Sequence, residues 1–360
     1  MSHIRIFVVD DSVVYRTILL KIINSITGVR TVGVAGNGKE ALELIPKVKP
    51  DLITLDVNMP VMDGLESLRQ LHEVYPQNKV IMISAYTQEG ATATLEALRA
   101  GALDFITKPD TGNEVLNATL LKEQFTTIIS KYADLLHNAE TDIQPEVKKS
   151  TVVEILPDLI NTPLSGQPQV IAIGISTGGP KALEELLLQL PANFPLPVLI
   201  VQHMPKLFTK SLAEALGRKV HVKVVEAQDE EILRASTVYI APGGLQMKIR
   251  RTSSGMVQIQ ITDEPPENHC KPSADYLFRH VAQVYGGNAV GVIMTGMGSD
   301  GVLGLKLMKR RGAMIIAQDR QTCTVWGMPR MAVEAGVVDN VLPLQEIAPE
   351  LIRLAGLCTH

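Results

Sequence analysis

Ser176 stands where a short apolar strand beginning at Val170 runs into Ser-Thr-Gly-Gly-Pro, a turn that opens a helix. A hydroxyl at the carboxyl end of a strand projects into open space. The small residues around it admit a substrate, and nearby backbone N–H groups can meet a developing oxyanion. A second set of reactive groups lies upstream. Asp10 and Asp11 follow the first apolar run, Asp56 follows another, Ser84 ends a third, and Lys108 precedes Pro109 after a fourth. Clustered carboxylates need a cation, and Mg²⁺ binds hard oxygens while keeping waters that a phosphoryl group can replace. Lys108 would then neutralise the added phosphate and the Ser84 hydroxyl would donate to it. The two sets together suggest a phosphate switch and a hydrolase in one chain.

Serine is a weak nucleophile until a base takes its proton and a third group orients that base. His203 ends the run Val198-Leu-Ile-Val-Gln, and Asp300 follows Val292-Ile-Met-Thr-Gly-Met-Gly-Ser, so both sit at strand ends as Ser176 does. As a relay, the three would be joined by hydrogen bonds of about 3 Å. Each also has an ordinary role: the glycine turn as a phosphate site, His203 as a buried and satisfied histidine, Asp300 as the cap of a helix starting near Gly301. Gly174, Ser176 and Gly178 meet the GxSxG pattern, but the order serine, histidine, aspartate departs from α/β-hydrolases, whose aspartate precedes the histidine. Backbone N–H at Thr177 is a candidate oxyanion donor. Trp326, Met328 and Arg330 are candidates for the rim, with plain packing an equal reading for Trp326 and Met328.

These residues need two sheets to position them. In the first stretch the strand candidates are Ile4 to Val9, Arg30 to Ala35, Leu52 to Leu55, Val80 to Ile83 and Asp104 to Ile106, separated by helical segments such as Ala91 to Ala100. Near-continuous apolar strands between helices indicate a parallel sheet covered on both faces, here a five-stranded doubly wound (flavodoxin-like) α/β domain. The pattern fades from roughly 138 to 168, where Pro145, Pro157, Pro163, Gly166 and Pro168 interrupt it, although Val152 to Ile160 remains apolar enough to dock. It resumes with Val198 to Gln202, Thr237 to Ala241, Ala289 to Met294 and Met314 to Ala317, while Gln246 to Ile261 suggests a hairpin turning at Ser253-Ser254-Gly255. The second domain is therefore doubly wound, mostly parallel α/β with an antiparallel hairpin. The division expected is 1–120, a helical extension and linker over 121–168, and 169–360.

With 34 basic and 38 acidic residues the net charge is -4, which gives no broad attraction to nucleic acid. The three cysteines, Cys270, Cys323 and Cys358, form no CxxC pair and no His/Cys spacing of the zinc-binding kind. No leader-like or membrane-spanning apolar run occurs, and a cytoplasmic location is expected.

Val-Val-Asp-Asp-Ser, Thr-Leu-Asp-Val-Asn-Met-Pro-Val-Met-Asp-Gly, Ile-Ser-Ala and Thr-Lys-Pro resemble the receiver domain of response regulators. That resemblance implies Asp56 as phospho-acceptor, Mg²⁺ held by Asp10, Asp11, Asp56 and the Asn58 backbone carbonyl, and Ser84, Phe105 and Lys108 as signalling positions. It also implies that the Lys108–Pro109 bond can be cis. Gly-Ile-Ser-Thr-Gly-Gly-Pro, Val-Gln-His-Met-Pro, Met-Thr-Gly-Met-Gly-Ser-Asp-Gly and Trp-Gly-Met-Pro-Arg, in this order after a receiver, resemble the chemotaxis protein-glutamate methylesterase/glutaminase (CheB) family. The resemblance implies Ser176 as nucleophile, His203 as base and then acid, Asp300 as its orienting partner and Met297 N–H as a further oxyanion donor. No cofactor is expected for the hydrolysis. Implied partners are chemoreceptor cytoplasmic domains as substrate, met peripherally at the membrane, and the histidine kinase CheA as phosphodonor. A phosphorylation-controlled binding module whose glycine turn grips an anion without catalysis is the alternative from another class; a small-molecule esterase lacks an evident acyl pocket.

Overall fold

The structure, a computed structural model, describes residues 3–137 and 166–357, with the backbone alone over 131–137. The chain forms two compact units. The expected linker lies outside the described residues from 138 to 165, as does the apolar stretch Val152 to Ile160.

The amino-terminal unit alternates strand and helix: β1 (Ile4–Val9), α1 (Val13–Asn24), β2 (Val29–Ala35), α2 (Gly38–Val48), β3 (Leu52–Asp56), α3 (Gly64–Val74), β4 (Lys79–Ala85), α4 (Gln88–Arg99), β5 (Asp104–Lys108) and α5 (Glu114–His137). The sheet order is β2-β1-β3-β4-β5, and its ladders are parallel. Apolar side chains of β1, β3 and β4 are buried on both faces, in keeping with their mostly apolar sequences. Side chains of Ser12, Asp63 and Thr87 cap α1, α3 and α4 by accepting from the N–H three residues on. Because Ser12 caps α1, Asp11 is left to face the strand ends. The Lys108–Pro109 bond is not cis; the cis proline bond of the described chain is Lys271–Pro272. Lys108 reaches Asp10 and Asp56 from the end of β5 without it.

The carboxyl-terminal unit comprises β6 (Val170–Ile175), α6 (Gly179–Leu187), β7 (Val198–Gln202), α7 (Lys206–Gly217), β8 (Lys223–Glu226), β9 (Thr237–Ile240), β10 (Gln246–Arg251), β11 (Val257–Thr262), α8 (Ala274–Tyr285), β12 (Ala289–Ile293), α9 (Val302–Arg310), β13 (Met314–Gln318), α10 (Met328–Glu334), β14 (Asn340–Leu342) and α11 (Leu344–Leu354). Its seven-stranded parallel sheet runs β14-β13-β12-β6-β7-β9-β8, and β10 and β11 pair separately as an antiparallel hairpin. The sequence reading lacked β8 and β14, the two edges, because short strands bonded on one side carry too little apolar patterning to stand out. The order reverses direction at β6, whose neighbours are β12 and β7. Such a switch point opens a crevice at the carboxyl ends of the strands.

Helix α8 covers that sheet and packs on the hairpin, burying Leu277, Phe278 and Val281 with Met247, Ile249 and Ile259. Phe278 is fully buried and lies against Gly174, Gly301 and Gly304, places where any added methyl would meet its ring or Cβ. Phe278→Ala should therefore destabilise this unit by about 3 to 5 kcal/mol through lost transfer energy and a residual cavity. The check is a lower urea midpoint for its transition at unchanged slope; an unshifted midpoint would show that α8 is anchored elsewhere.

Candidate active site

The three middle strands β12, β6 and β7 deliver the residues singled out above. Ser176 follows β6 directly and His203 follows β7, and the ladder places Ile175 opposite Gln202, so the two are next to each other across one strand pair. His203 N–H donates to the Ile175 carbonyl at 3.2 Å, and Gln202 Nε2 donates to the Ser176 carbonyl at 2.9 Å. On the other side, Ser176 N–H donates to the Thr295 carbonyl at 2.9 Å in the loop after β12. The serine backbone is thus pinned from both neighbours. Gly178 adopts a φ of 77° at the cap of α6 and packs on Thr324, which a side chain at that position would strike. Gly296 comes so near Ser176 that a Cβ on it would stand 2.8 Å from the serine Cβ.

Asp300 closes the arrangement from the β12 loop. Its carboxylate accepts from His203 Nε2 at 2.8 Å, Ser273 Oγ at 2.7 Å, Ala274 N at 2.6 Å, Asp275 N at 3.2 Å and Asn268 Nδ2 at 3.1 Å. Two of those donors are the first N–H groups of α8, where the helix dipole favours a negative charge. The alternative role as a cap of α9 does not hold: that helix starts behind Gly301 with no side-chain cap, and the carboxylate turns to α8 instead. Burial by itself would raise the pKa of Asp300, yet the His203 bond and charge, with Ser273 and Ala274, hold its carboxyl below the usual range. For His203 burial pulls downward, but the Asp300 bond, assisted by Cys270, outweighs it and raises the imidazole to about 9. The pair is a carboxylate holding a proton on the imidazole.

With Nε2 committed to Asp300, Nδ1 is the ring nitrogen left for Ser176. It faces Cys270 Sγ at 3.8 Å. Among the described residues no hydrogen bond joins the Ser176 hydroxyl to His203. Of the two hydrogen bonds expected among Ser176, His203 and Asp300, the structure therefore forms the one between histidine and aspartate and not the one between serine and histidine.

Thr177 and Met297 flank the serine. Thr177 is buried and its carbonyl accepts from Thr295 Oγ1 at 2.8 Å; Met297 follows Gly296, and among the described residues its N–H bonds no acceptor. Of the rim candidates, Met328 is fully buried with its sulfur against Gly296, so it packs; Trp326 is half-buried and bridges Gly296, and Arg330 is exposed beside Glu334. Asn268, Ser273 and Gln202 were missed in the sequence. Only Ser273 carried a signal, as the cap of α8.

In the other unit, Asp10, Asp11 and Asp56 each offer an oxygen within 4.8 Å of one another. Lys108 Nζ lies 2.9 Å from both Asp10 Oδ2 and Asp56 Oδ2 and 4.4 Å from the Tyr15 ring centroid. Asp56 is pushed up to about 6, first by burial and then by Asp10 and Asp11, against the opposing Lys108. One ammonium does not neutralise three carboxylates, so this donor set fits a hard divalent cation. Asn58 follows two residues past β3 and is exposed. Ser84 is buried and donates to the Gly90 carbonyl at 3.1 Å in α4, away from Asp56, while Phe105 sits on β5 opposite Met82.

Known proteins supply the context. Residues 6–120 match the response regulator receiver domain and residues 171–351 match the CheB methylesterase family. The chain is similar to a protein-glutamate methylesterase/protein-glutamine glutaminase of Desulfotalea psychrophila, 42% identical over 363 residues that cover 99% of this chain and 100% of that protein. A protein of the same name from Archaeoglobus fulgidus is 42% identical over 351 residues, 97% of each chain. The crystal structure of the Thermotoga maritima CheB methylesterase catalytic domain superimposes with a TM-score of 0.51 at 39% identity, covering 52% of this chain and all of that one.

Since Asp300 is what raises His203, Asp300→Asn should drop the imidazole from about 9 to its ordinary value or below, burial then being unopposed. NMR titration of the His203 ring reads this directly. A value still near 9 in the variant would assign the cause to Cys270.

Proposed function

The chain belongs to the CheB methylesterase family, and from that premise we propose that it hydrolyses γ-glutamyl methyl esters on chemoreceptor cytoplasmic domains, and deamidates receptor glutamines, under control of phosphorylation at Asp56. The observation that carries this reading is the His203–Asp300 bond of 2.8 Å at the end of the strand beside Ser176.

The chemistry follows from those groups. His203 Nδ1, once deprotonated, takes the Ser176 hydroxyl proton as Oγ attacks the ester carbonyl, and the new negative charge falls on the carbonyl oxygen. Backbone N–H groups of Thr177 and Met297 are assigned to meet it. Collapse expels methoxide, which leaves as methanol with the proton from His203, and water repeats the cycle on the acyl-serine to release the carboxylate. A glutamine amide takes the same course with ammonia as leaving group. Serine, base and carboxylate account for every proton, so the hydrolysis is assigned to side chains alone. Asp300 stays ionised throughout, balancing the imidazolium.

Receiver domains bind Mg²⁺ for phosphorylation in general. Here Asp10, Asp11, Asp56 and the Asn58 carbonyl would hold it, and when bound it supplies positive charge to the phosphoryl oxygens. Asp56 accepts the phosphoryl group from a histidine kinase of the CheA type, and Lys108 pairs with it. Ser84 then turns from Gly90 toward the phosphate, with Phe105 following on β5. Unphosphorylated, the receiver obstructs the cleft at Ser176; phosphorylation weakens that obstruction. No helix among the described residues is long and apolar enough to cross a membrane; a cytoplasmic enzyme meeting membrane-bound receptors peripherally is consistent with that. The domain division follows the same reading, with the receiver over 1–120, the extension and linker over 121–168 and the hydrolase over 169–360.

Ser176→Ala should abolish methanol release from methylated receptor membranes while receptor binding persists. Turnover retained in that variant would remove Ser176 as nucleophile. A phosphodonor should raise the rate of the full chain by about 5- to 150-fold, the range of a coupling of about 1 to 3 kcal/mol, and Asp56→Ala should lose both this response and phosphate incorporation. A donor-independent rate equal to that of a fragment beginning near residue 165 would refute the obstruction.

A further inference from the structure

His203 and Cys270 are separated by 67 positions, so no sequence spacing announces them as a pair, yet the fold sets Cys270 Sγ 3.8 Å from His203 Nδ1. The imidazole is arranged as metal-binding histidines are. Its Nε2–H is held by the buried Asp300 carboxylate at 2.8 Å, which fixes the ring's orientation and turns Nδ1, a ligand once its proton is lost, toward Cys270 Sγ. Sulfur and nitrogen bound to one tetrahedral Zn²⁺ at about 2.3 and 2.0 Å would lie about 3.5 Å apart. The observed separation, that of a thiol–imidazole hydrogen bond, is close to it. The thiol's other contact is the Asn268 carbonyl at 3.4 Å, itself weak. Cys270 is half-buried, so an ion can reach it. His203, Cys270 and Asp300 together offer ligand atoms within 4.8 Å of one another, but Asp300 is already saturated by donors from α8 and Asn268. It is therefore the ring's anchor, and the ligands are nitrogen and sulfur.

We propose that His203 Nδ1 and Cys270 Sγ form a site for one soft divalent cation of the Zn²⁺ class, and that its binding shuts down the hydrolase by occupying the nitrogen that must accept the Ser176 proton. The thiol proton and the second imidazolium proton, on His203 Nδ1, both go to solvent, nothing is oxidised, and the remaining positions on the ion are taken by water. Softness separates this site from the oxygen cluster of Asp10, Asp11 and Asp56, which suits Mg²⁺. Metal binding itself does not depend on the proposed function; the inhibitory consequence rests on it.

The full chain is titrated with Co²⁺ as an optical stand-in for Zn²⁺. One equivalent should raise a thiolate-to-cobalt charge-transfer band that Zn²⁺ then erases, that Cys270→Ser abolishes and that Cys323→Ser leaves intact. Asp300→Asn should weaken the affinity about 10- to 100-fold by freeing the ring. In the unsubstituted chain Zn²⁺ should also shield Cys270, and not Cys323, from alkylation read by mass spectrometry, which decides the matter even if a variant fails to fold. Methanol release should fall with Zn²⁺ and return with a chelator. Absence of the band, its survival in Cys270→Ser, or alkylation of Cys270 unaffected by Zn²⁺ would overturn the site. A band without any methanol release in metal-free protein would instead overturn the hydrolase reading and leave the site standing.

Discussion

A carboxylate buried among apolar strands persists as an anion only if donors replace the water it gives up, and Asp300 is the point where this unit meets that demand. Removing one partner from such a buried charge costs on the order of 3 to 5 kcal/mol, so the positions of His203, Ser273, Ala274, Asp275 and Asn268 are fixed by a shared need. The helix α8 must present its N-terminus at this spot, and the chain before it must bend back to bring Asn268 and Cys270 alongside. Asn268 and His269 take positive φ of 50° and 62° in doing so. The loop is shaped by the carboxylate, and the carboxylate shapes the imidazole.

The two units apply one architectural rule to opposite electrostatic ends. Each is a parallel sheet whose polar groups collect at the carboxyl ends of adjacent strands. In the amino-terminal unit the cluster is left short of positive charge, and Asp56 is held above the ordinary carboxylate range, first through burial. Such a site gains from a cation or from conversion of a carboxylate to a mixed anhydride bound by Lys108. In the carboxyl-terminal unit Asp300 is held below that range by an excess of donors. In the proposed reaction a group so stabilised serves as a fixed charge beside the imidazole.

Strand ends were legible in the sequence because β1, β3, β6, β7 and β12 are largely buried on both faces and therefore written mostly in apolar residues. A polar residue at the end of such a run is conspicuous, which is why Ser176, His203, Asp10 and Asp56 stood out, while Asp300 lies seven residues beyond β12 in the loop before α9. The partners that define the site were not legible. Asp300 meets Ser273, Ala274 and Asn268 only after a hairpin and a helix have folded across the sheet, a contact that leaves no local period. The same holds for Cys270, whose distance along the chain from His203 conceals a nitrogen–sulfur pair. The sequence could offer capping of α9 as a role for Asp300 because the following glycine and apolar residues permit it; only the path of α8 shows the carboxylate turned the other way.

A histidine whose Nε2 is spent on aspartate has one nitrogen left, and in this site two groups compete for it. Ser176 approaches from β6, held by the Thr295 carbonyl and Gln202, while Cys270 approaches from the loop before α8. The serine hydroxyl and Nδ1 are not yet bonded, so the ring still faces sulfur. An imidazole stabilised as a cation by Asp300 is also a poor base until that proton is lost, and the contact with Cys270 adds to the stabilisation. For the proposed reaction, the Ser176 hydroxyl has to reach the nitrogen that sulfur now faces. The geometry is thus a site whose histidine–aspartate charge pair is already formed, with the Ser176 hydroxyl outside that bond.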